Sequence, residues 1–187
     1  TVDELMEYIP GPDFPTGAEI CGRAGIRQAY RTGRGLIKVR SRYHIEEGKN
    51  KDSVIFTEIP YQENKVSIIE KISECVKDGR IEEIADVRDE SDKNIRLVIE
   101  LKRSASPEVV VNQLFKFTQL SATCSIINIA LVRGRPETLG LKELLNEYRR
   151  HRVEIIRRRT RHLLRKAEER AHIVEGLLKA LDIIDEV

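Results

Sequence analysis

Hydrophobic positions follow two different patterns on either side of Pro136. Before it they come in short runs punctuated by Pro and Gly, and after it they recur at helical steps. In the first part Leu36, Ile37, Val39, Tyr43 and Ile45 predict a strand over 35–45. Val54, Ile55, Phe56 and Ile59 predict a second, joined to the first as a hairpin through a polar turn at Glu47–Lys51. Pro60 ends the second strand because it has no N–H to donate. Val66, Ile68, Ile69, Ile72, Cys75 and Val76 lie three and four residues apart, which predicts an amphipathic helix over Lys65–Asp78 stopped by Gly79. Ile81, Ile84 and Val87 lead into a polar turn, Arg88-Asp89-Glu90-Ser91-Asp92. Ile95–Leu101 reads as a strand. Pro107 sits in the first turn of a helix carrying Val110, Val111, Leu114, Phe115 and Thr118. A last β-branched run, Ile126–Val132, closes at Arg133-Gly134-Arg135-Pro136. The opening stretch, dense in Pro and Gly from Pro10 to Gly35, leaves room for turns and one short helix over Ala24–Tyr30. The expected fold class is α+β: a mixed α/β domain over 1–138, with a mainly β-sheet core and mixed strand pairing.

Past Pro136 strong helix formers dominate. Leu141, Leu144, Leu145, Tyr148, Ile155 and Ile156 begin an apolar stripe, and Ala167, Ala171, Val174, Leu178 and Leu181 extend it at steps of four and three. Residues 139–187 therefore read as a long helix or helix pair with coiled-coil character, Gly176 being the place to kink or end it. About 45 residues at ~1.5 Å each reach roughly 65–70 Å, more than a domain of this size buries, so the helix needs a partner. The chain opens on Thr1 rather than Met and stops in mid-pattern at Val187, which reads as a piece of something longer.

Charge changes this picture once it is divided. The net charge of +2 splits into −1 over 1–140 (21 basic, 22 acidic) and +3 over 141–187 (12 basic, 9 acidic). Within 149–166 nine Arg and Lys oppose only Glu154. Two readings stand for that helix: an arm facing a polyanion, or a helix whose arginines pair with acidic residues on a neighbouring element or another protomer. No stretch approaches the roughly 20 apolar residues of a membrane span, and a cytoplasmic protein is expected. Cys21, Cys75 and Cys124 are odd in number and lack CxxC spacing, so buried structural thiols are the expectation for all three.

No GxSxG, Walker motif, paired catalytic carboxylates or Cys/His arrangement appears, and the histidines lack HExxH spacing; neither catalytic nor metal-ligating residues are assigned. The acidic run at 88–92 reads as a solvated turn with local Arg pairing in preference to a Mg²⁺ site. Tyr30-Arg31-Thr32-Gly33-Arg34-Gly35 has glycines flanking a cation, which fits a tight turn or a phosphate approach. The Pro60–Lys65 segment is more informative, because it ends a strand and opens a helix. Asn64 fits an N-cap, and Gln62, Lys65 and the first-turn N–H groups are available to an anion. A cation such as Lys65 in the first helical turn opposes the helix dipole, a conflict that a phosphate would remove.

These segments resemble the A subunits of the bacterial type IIA topoisomerases, DNA gyrase and topoisomerase IV, with gyrase the nearer. The resemblance rests on Ile9–Thr16, Ala29–Gly35, Glu58–Gln62 with Asn64-Lys65, Arg88–Asp92, Val98–Arg103, His151-Arg152 with Arg158–Thr160, and Arg170–Ile173. Phe115 and Ser121–Cys124 depart from the usual pattern. The resemblance implies a tower domain followed by the start of the coiled-coil arm leading to the exit gate, with the active-site tyrosine upstream and this piece inactive alone. It implies contacts to the backbone of gate-segment DNA from Gln62, Asn64 and Lys65, and more weakly from Arg31, Arg34, Arg40 and Arg42. The partners it implies are double-stranded DNA, the gyrase B subunit, and a second copy of the A subunit, in an A2B2 holoenzyme where ATP and Mg²⁺ enter through the B subunit. It also inclines the arginines of 149–166 towards packing at the base of the arm. The alternative is a purely structural or oligomerisation module.

Overall fold

The computed structural model describes residues 1–48 and 51–184. Its elements run α1 (Val2–Tyr8), β1 (Glu19–Cys21), α2 (Ala24–Thr32), β2 (Arg34–Arg40), β3 (Arg42–Glu46), β4 (Ser53–Glu58), α3 (Lys65–Lys77) and β5 (Ile84–Asp89). They continue with β6 (Leu97–Leu101), α4 (Pro107–Phe117), β7 (Ser121–Ile127), β8 (Ile129–Val132), β9 (Arg135–Thr138) and α5 (Leu141–Ile184). The α+β class holds, but every strand pair among the described residues is antiparallel, not mixed.

Two sheets carry the cores. The order β3-β4-β6-β5 forms the larger one, and Val54, Phe56, Leu97, Ile99 and Leu101 from it meet Ile68 and Ile72 of α3 and Val110 and Leu114 of α4 in a closed apolar cluster. Phe56 packs edge-on to Phe115 and lies against Tyr43, with ring centroids 6.1 and 5.8 Å away. The smaller sheet, β1-β2-β7, buries Ile37 and Val39 beneath Ile26 and Tyr30 of α2. Gly25 and Gly35 allow that approach: a Cβ on Gly25 would lie 1.8 Å from the Leu36 carbonyl oxygen.

The strand expected over 35–45 is two strands in different sheets. Ser41 is the joint, 2% exposed, its N–H donating to the Leu120 carbonyl at 2.8 Å as the chain passes between sheets. Only β3 completes the hairpin with β4, and Lys49 and Asn50 of its expected polar turn lie outside the described residues. The run at 126–132 divides at Asn128 into the end of β7 and β8. Arg133 (φ +50°) and Gly134 (φ +80°) then form a two-residue hairpin turn rather than a terminus, and Pro136 sits in the returning strand β9. Four elements, α1, β1, β5 and β9, have no counterpart among those the sequence predicts.

The last element, α5, is one helix of 44 residues that passes through Gly176 without ending. Of its residues only Leu141 is buried. Residues 185–187 of the expected arm lie outside the described residues. Cys75 is buried as expected, whereas Cys21 is exposed, because β1 turns it to the open face of the smaller sheet.

Candidate nucleic-acid interface

The segment between β4 and α3 is a tight, strained corner. Ile59 and Pro60 are buried, and the Glu63 N–H donates to the Pro60 carbonyl at 3.2 Å, closing a turn. Gln62 holds φ +69°, a backbone region usually left to Gly, which costs a residue with a Cβ roughly 1–2 kcal/mol. Strain at an exposed polar residue is a pointer to function. Asn64 caps α3, its Oδ1 accepting from the Val66 N–H at 2.8 Å. Tyr61 stacks on Phe14 at 5.6 Å, so the opening segment supports the turn from one side. Along the free edge of β7 a cleft of about 200 Å³ is lined by Tyr61, Gln62 and Glu63 across from Thr123 and Ser125.

Lys65 has a protein partner. Its Nζ lies 2.7 Å from Oδ2 and 3.0 Å from Oδ1 of Asp89 at the end of β5. Within the chain that carboxylate answers the cation in the first helical turn. The Lys65 hydrogen bond, followed by those from Ser91, holds the Asp89 carboxyl down at a pKa of about 2. Within the acidic run Glu90 pairs with Arg as expected, 3.6 Å from Arg88 and 3.2 Å from Arg96, and Arg88 also meets Glu100 at 2.6 Å.

The structure scatters the four candidate arginines. Arg31 is on α2, on the covered side of the smaller sheet, and meets Asp3 at 3.2 Å. Gly33 beside it serves as the left-handed C-cap of α2, so the glycines around Arg31 and Arg34 answer to packing. Arg42 lies 3.6 Å from Glu58 and 3.7 Å from Glu19. Arg34 and Arg40 share the open face of β2. Arg40 rests its guanidinium over the Phe115 ring at 5.2 Å, and its buried Nε and the Oγ of its cross-strand partner Ser121 both lack a hydrogen-bond partner. Lys38, which the sequence motifs do not single out, stands on the same face between Cys21 of β1 and Thr123 of β7. Arg34 and Lys38 make no ion pair among the described residues. The alternation of β2 was the available signal for Lys38, since Arg34, Lys38 and Arg40 share one parity.

The arginines of α5 over 149–166 are exposed. Their ion pairs stay within the helix, Arg150 with Glu147, Arg158 with Glu154 and Arg165 with Glu169.

The family model for the A subunit of DNA gyrase and topoisomerase IV matches residues 1–187. The chain belongs to this family. Over its whole length it is 56% identical to the DNA gyrase A subunit of Halalkalibacterium halodurans, 55% to that of Pseudomonas aeruginosa and 54% to that of Fibrobacter succinogenes. It covers 23%, 21% and 21% of those proteins, so it spans less than a quarter of the length of these curated relatives. Among its described residues no helix is long and apolar enough to cross a membrane.

Proposed function

We propose that residues 1–138 are the tower domain, and 139–187 the start of the coiled-coil arm, of the breakage-reunion subunit of a type IIA topoisomerase. Such an enzyme is an ATP-dependent isomerase that supercoils or relaxes DNA by double-strand passage. In this reading the tower holds the backbone of gate-segment DNA and the arm links it to the exit gate. Cleavage chemistry lies in parts of the enzyme outside this chain. ATP and Mg²⁺ enter through the B subunit, in an A2B2 assembly in the cytoplasm. The observation that carries the DNA contact is the Pro60–Lys65 corner, where an exposed glutamine is kept in a strained backbone beside a helix start. Contacts of this kind, from neutral side chains and N–H groups to phosphates, position DNA without reading its sequence. Gln62, Asn64 and the open-face cations Arg34 and Lys38 are the principal groups, and Lys65 acts mainly as a tether to Asp89.

Replacing Gln62 by Gly removes the side chain and relieves the strain, so it separates the contact from the fold. Anisotropy of a fluorescent duplex of about 30 bp at low salt is expected to give binding 3- to 10-fold weaker for Gln62→Gly, roughly the worth of one hydrogen bond. The melting temperature should stay level or rise. Equal affinity would remove Gln62 from the interface. The reading as an interaction module draws support from α5, where Leu163, Leu178 and Leu181 are each more than half exposed. Absence of DNA binding together with salt-independent self-association in analytical ultracentrifugation would favour it.

A further inference from the structure

Strands β7 and β8 run on as one extended stretch over 121–132 that is paired along one side only, first by β2 and then by β9. Asn128 joins the two halves. Its N–H donates to the Gly33 carbonyl at 2.8 Å, and its own carbonyl accepts from the Leu139 N–H at 3.0 Å. Peptide groups alternate in direction along an antiparallel strand, so the even-numbered residues bond to β2 and β9. Ile127, Ile129 and Leu131 turn their N–H and carbonyl groups the other way. No strand among the described residues pairs with that second edge. At Thr123 and Ser125 it faces residues 61–63 across the cleft. Beyond them the side chains of Ile127, Ile129 and Leu131 stand on the open face of the sheet, each more than half exposed, and Leu36 of β2 joins them there.

Soluble proteins blunt a free sheet edge with Lys, Pro or a bulge, because its unpaired peptide groups are a template for another strand. The stretch 126–132 has none of these: it reads Ile-Ile-Asn-Ile-Ala-Leu-Val, and its pairing on the other side shows no shift of register. We propose that the free edge at Ile127, Ile129 and Leu131 takes an extended segment from outside this chain, added to the sheet as a further strand. That segment carries aliphatic residues at alternate positions and a carboxylate at the end beside Arg133. The row of N–H and carbonyl groups requires a strand, since a helix has no free peptide groups along its side to answer them. The aliphatic row of the open face requires apolar residues at every second position. The carboxylate answers Arg133 and Arg135, which are exposed and make no ion pair among the described residues. A second copy of the chain fits less well. Pairing two such edges about Ile129 would set the Arg133 of one against Ser125 of the other. The β2 neighbour of Ser125, Leu36, lies between Arg34 and Lys38, so the contact would bring cation to cation.

A fluorescein-labelled peptide of alternating Val and Thr with Glu at both ends is the probe, titrated with the 187-residue chain and read by anisotropy. Ile129→Pro removes an edge N–H that no group of the chain uses, so it is expected to weaken binding on the order of tenfold while the hairpin with β9 is kept. Ile129→Val keeps that N–H and should bind within about threefold of the unaltered chain. The same peptide with Lys in place of Glu should bind more weakly, by about threefold or more at low salt. Amide hydrogen exchange reads the edge without any substitution. The N–H groups of Ile129 and Leu131 are expected to exchange fast in the chain alone and at least tenfold more slowly with peptide, while those of Ala130 and Val132 stay as they were. Binding that Ile129→Pro leaves unchanged, or that gives the Ile129 and Leu131 amides no protection, would overturn the added strand. Equal binding of the Glu and Lys peptides would overturn the carboxylate. Protection of those amides in the chain alone, together with a dimer in sedimentation equilibrium, would overturn the outside segment in favour of a second copy.

Discussion

Residues 1–138 and helix α5 handle charge in opposite ways. In the first region ionic groups are answered across the fold: Lys65 reaches Asp89 on another element, Arg88 crosses to Glu100, and Arg96 meets Glu46 fifty positions away. Along α5 the ion pairs of the arginines close within one turn. Burial divides the same way, with two closed cores in the first region and, within α5, only Leu141 buried, where it joins the smaller core. The first region closes its cores on itself and leaves Arg34 and Lys38 unpaired on one open face, while along α5 the apolar stripe stays uncovered among the described residues. Net charge therefore misdirects. The basic helix attracts a nucleic-acid reading, yet the strained, polar, exposed corner belongs to the near-neutral region.

The sharpest way to break this contrast is to hollow each region in turn. Phe56→Ala, in a side chain with no exposure, is expected to cost about 3–5 kcal/mol in urea unfolding, whereas Leu163→Ala should stay within about 0.5 kcal/mol. Comparable losses would mean that α5 is already partnered within the chain.

A smaller effect sharpens how the first region satisfies its charges. Asp89 has its pKa depressed, so the Lys65 tether contributes stability above the ordinary carboxylate pKa of about 4 and loses it as pH falls to about 2. Asp89→Asn should lower the melting temperature at neutral pH by the equivalent of about 0.5–1 kcal/mol, a modest figure because both side chains are about one-third exposed. The gap from the unaltered chain should close between about pH 4 and pH 2. A gap that persists at pH 2 would show that Asn acts by some other route than the ion pair.

The elements legible from sequence were those with strong periodicity: α3, α4, α5 and the β3–β4 hairpin. Those missed carried weaker or competing signals. Thr1 and Glu4 form a capping box for α1, and Leu5 and Met6 pack on the smaller core, but the Pro and Gly that follow dominate the local pattern. In β5, Asp86, Arg88 and Asp89 look like a turn because their pairing with β6 is invisible locally. Ser41 and Asn128 divide strands without Gly or Pro, since tertiary pairing rather than turn chemistry places the break. The extra length of β7 hides in small polar residues, Ser121, Thr123 and Ser125. At the corner, Pro60 and Asn64 announced the strand end and the helix cap. The tie from Lys65 to Asp89 did not show, because that partner stands 24 residues on, at the end of the unrecognised strand.

The central claim is that DNA is held by the near-neutral region and not by the basic helix. Anisotropy of one duplex at low salt, titrated with the unaltered chain, with Gln62→Gly combined with Lys38→Ala, and with α5 carrying Arg152→Glu, Arg159→Glu, Lys166→Glu and Arg170→Glu, tests it most directly. The account predicts that the corner-and-face variant loses about tenfold or more in affinity while the α5 variant binds as the unaltered chain does. Binding that survives in the first variant and collapses in the second would contradict it.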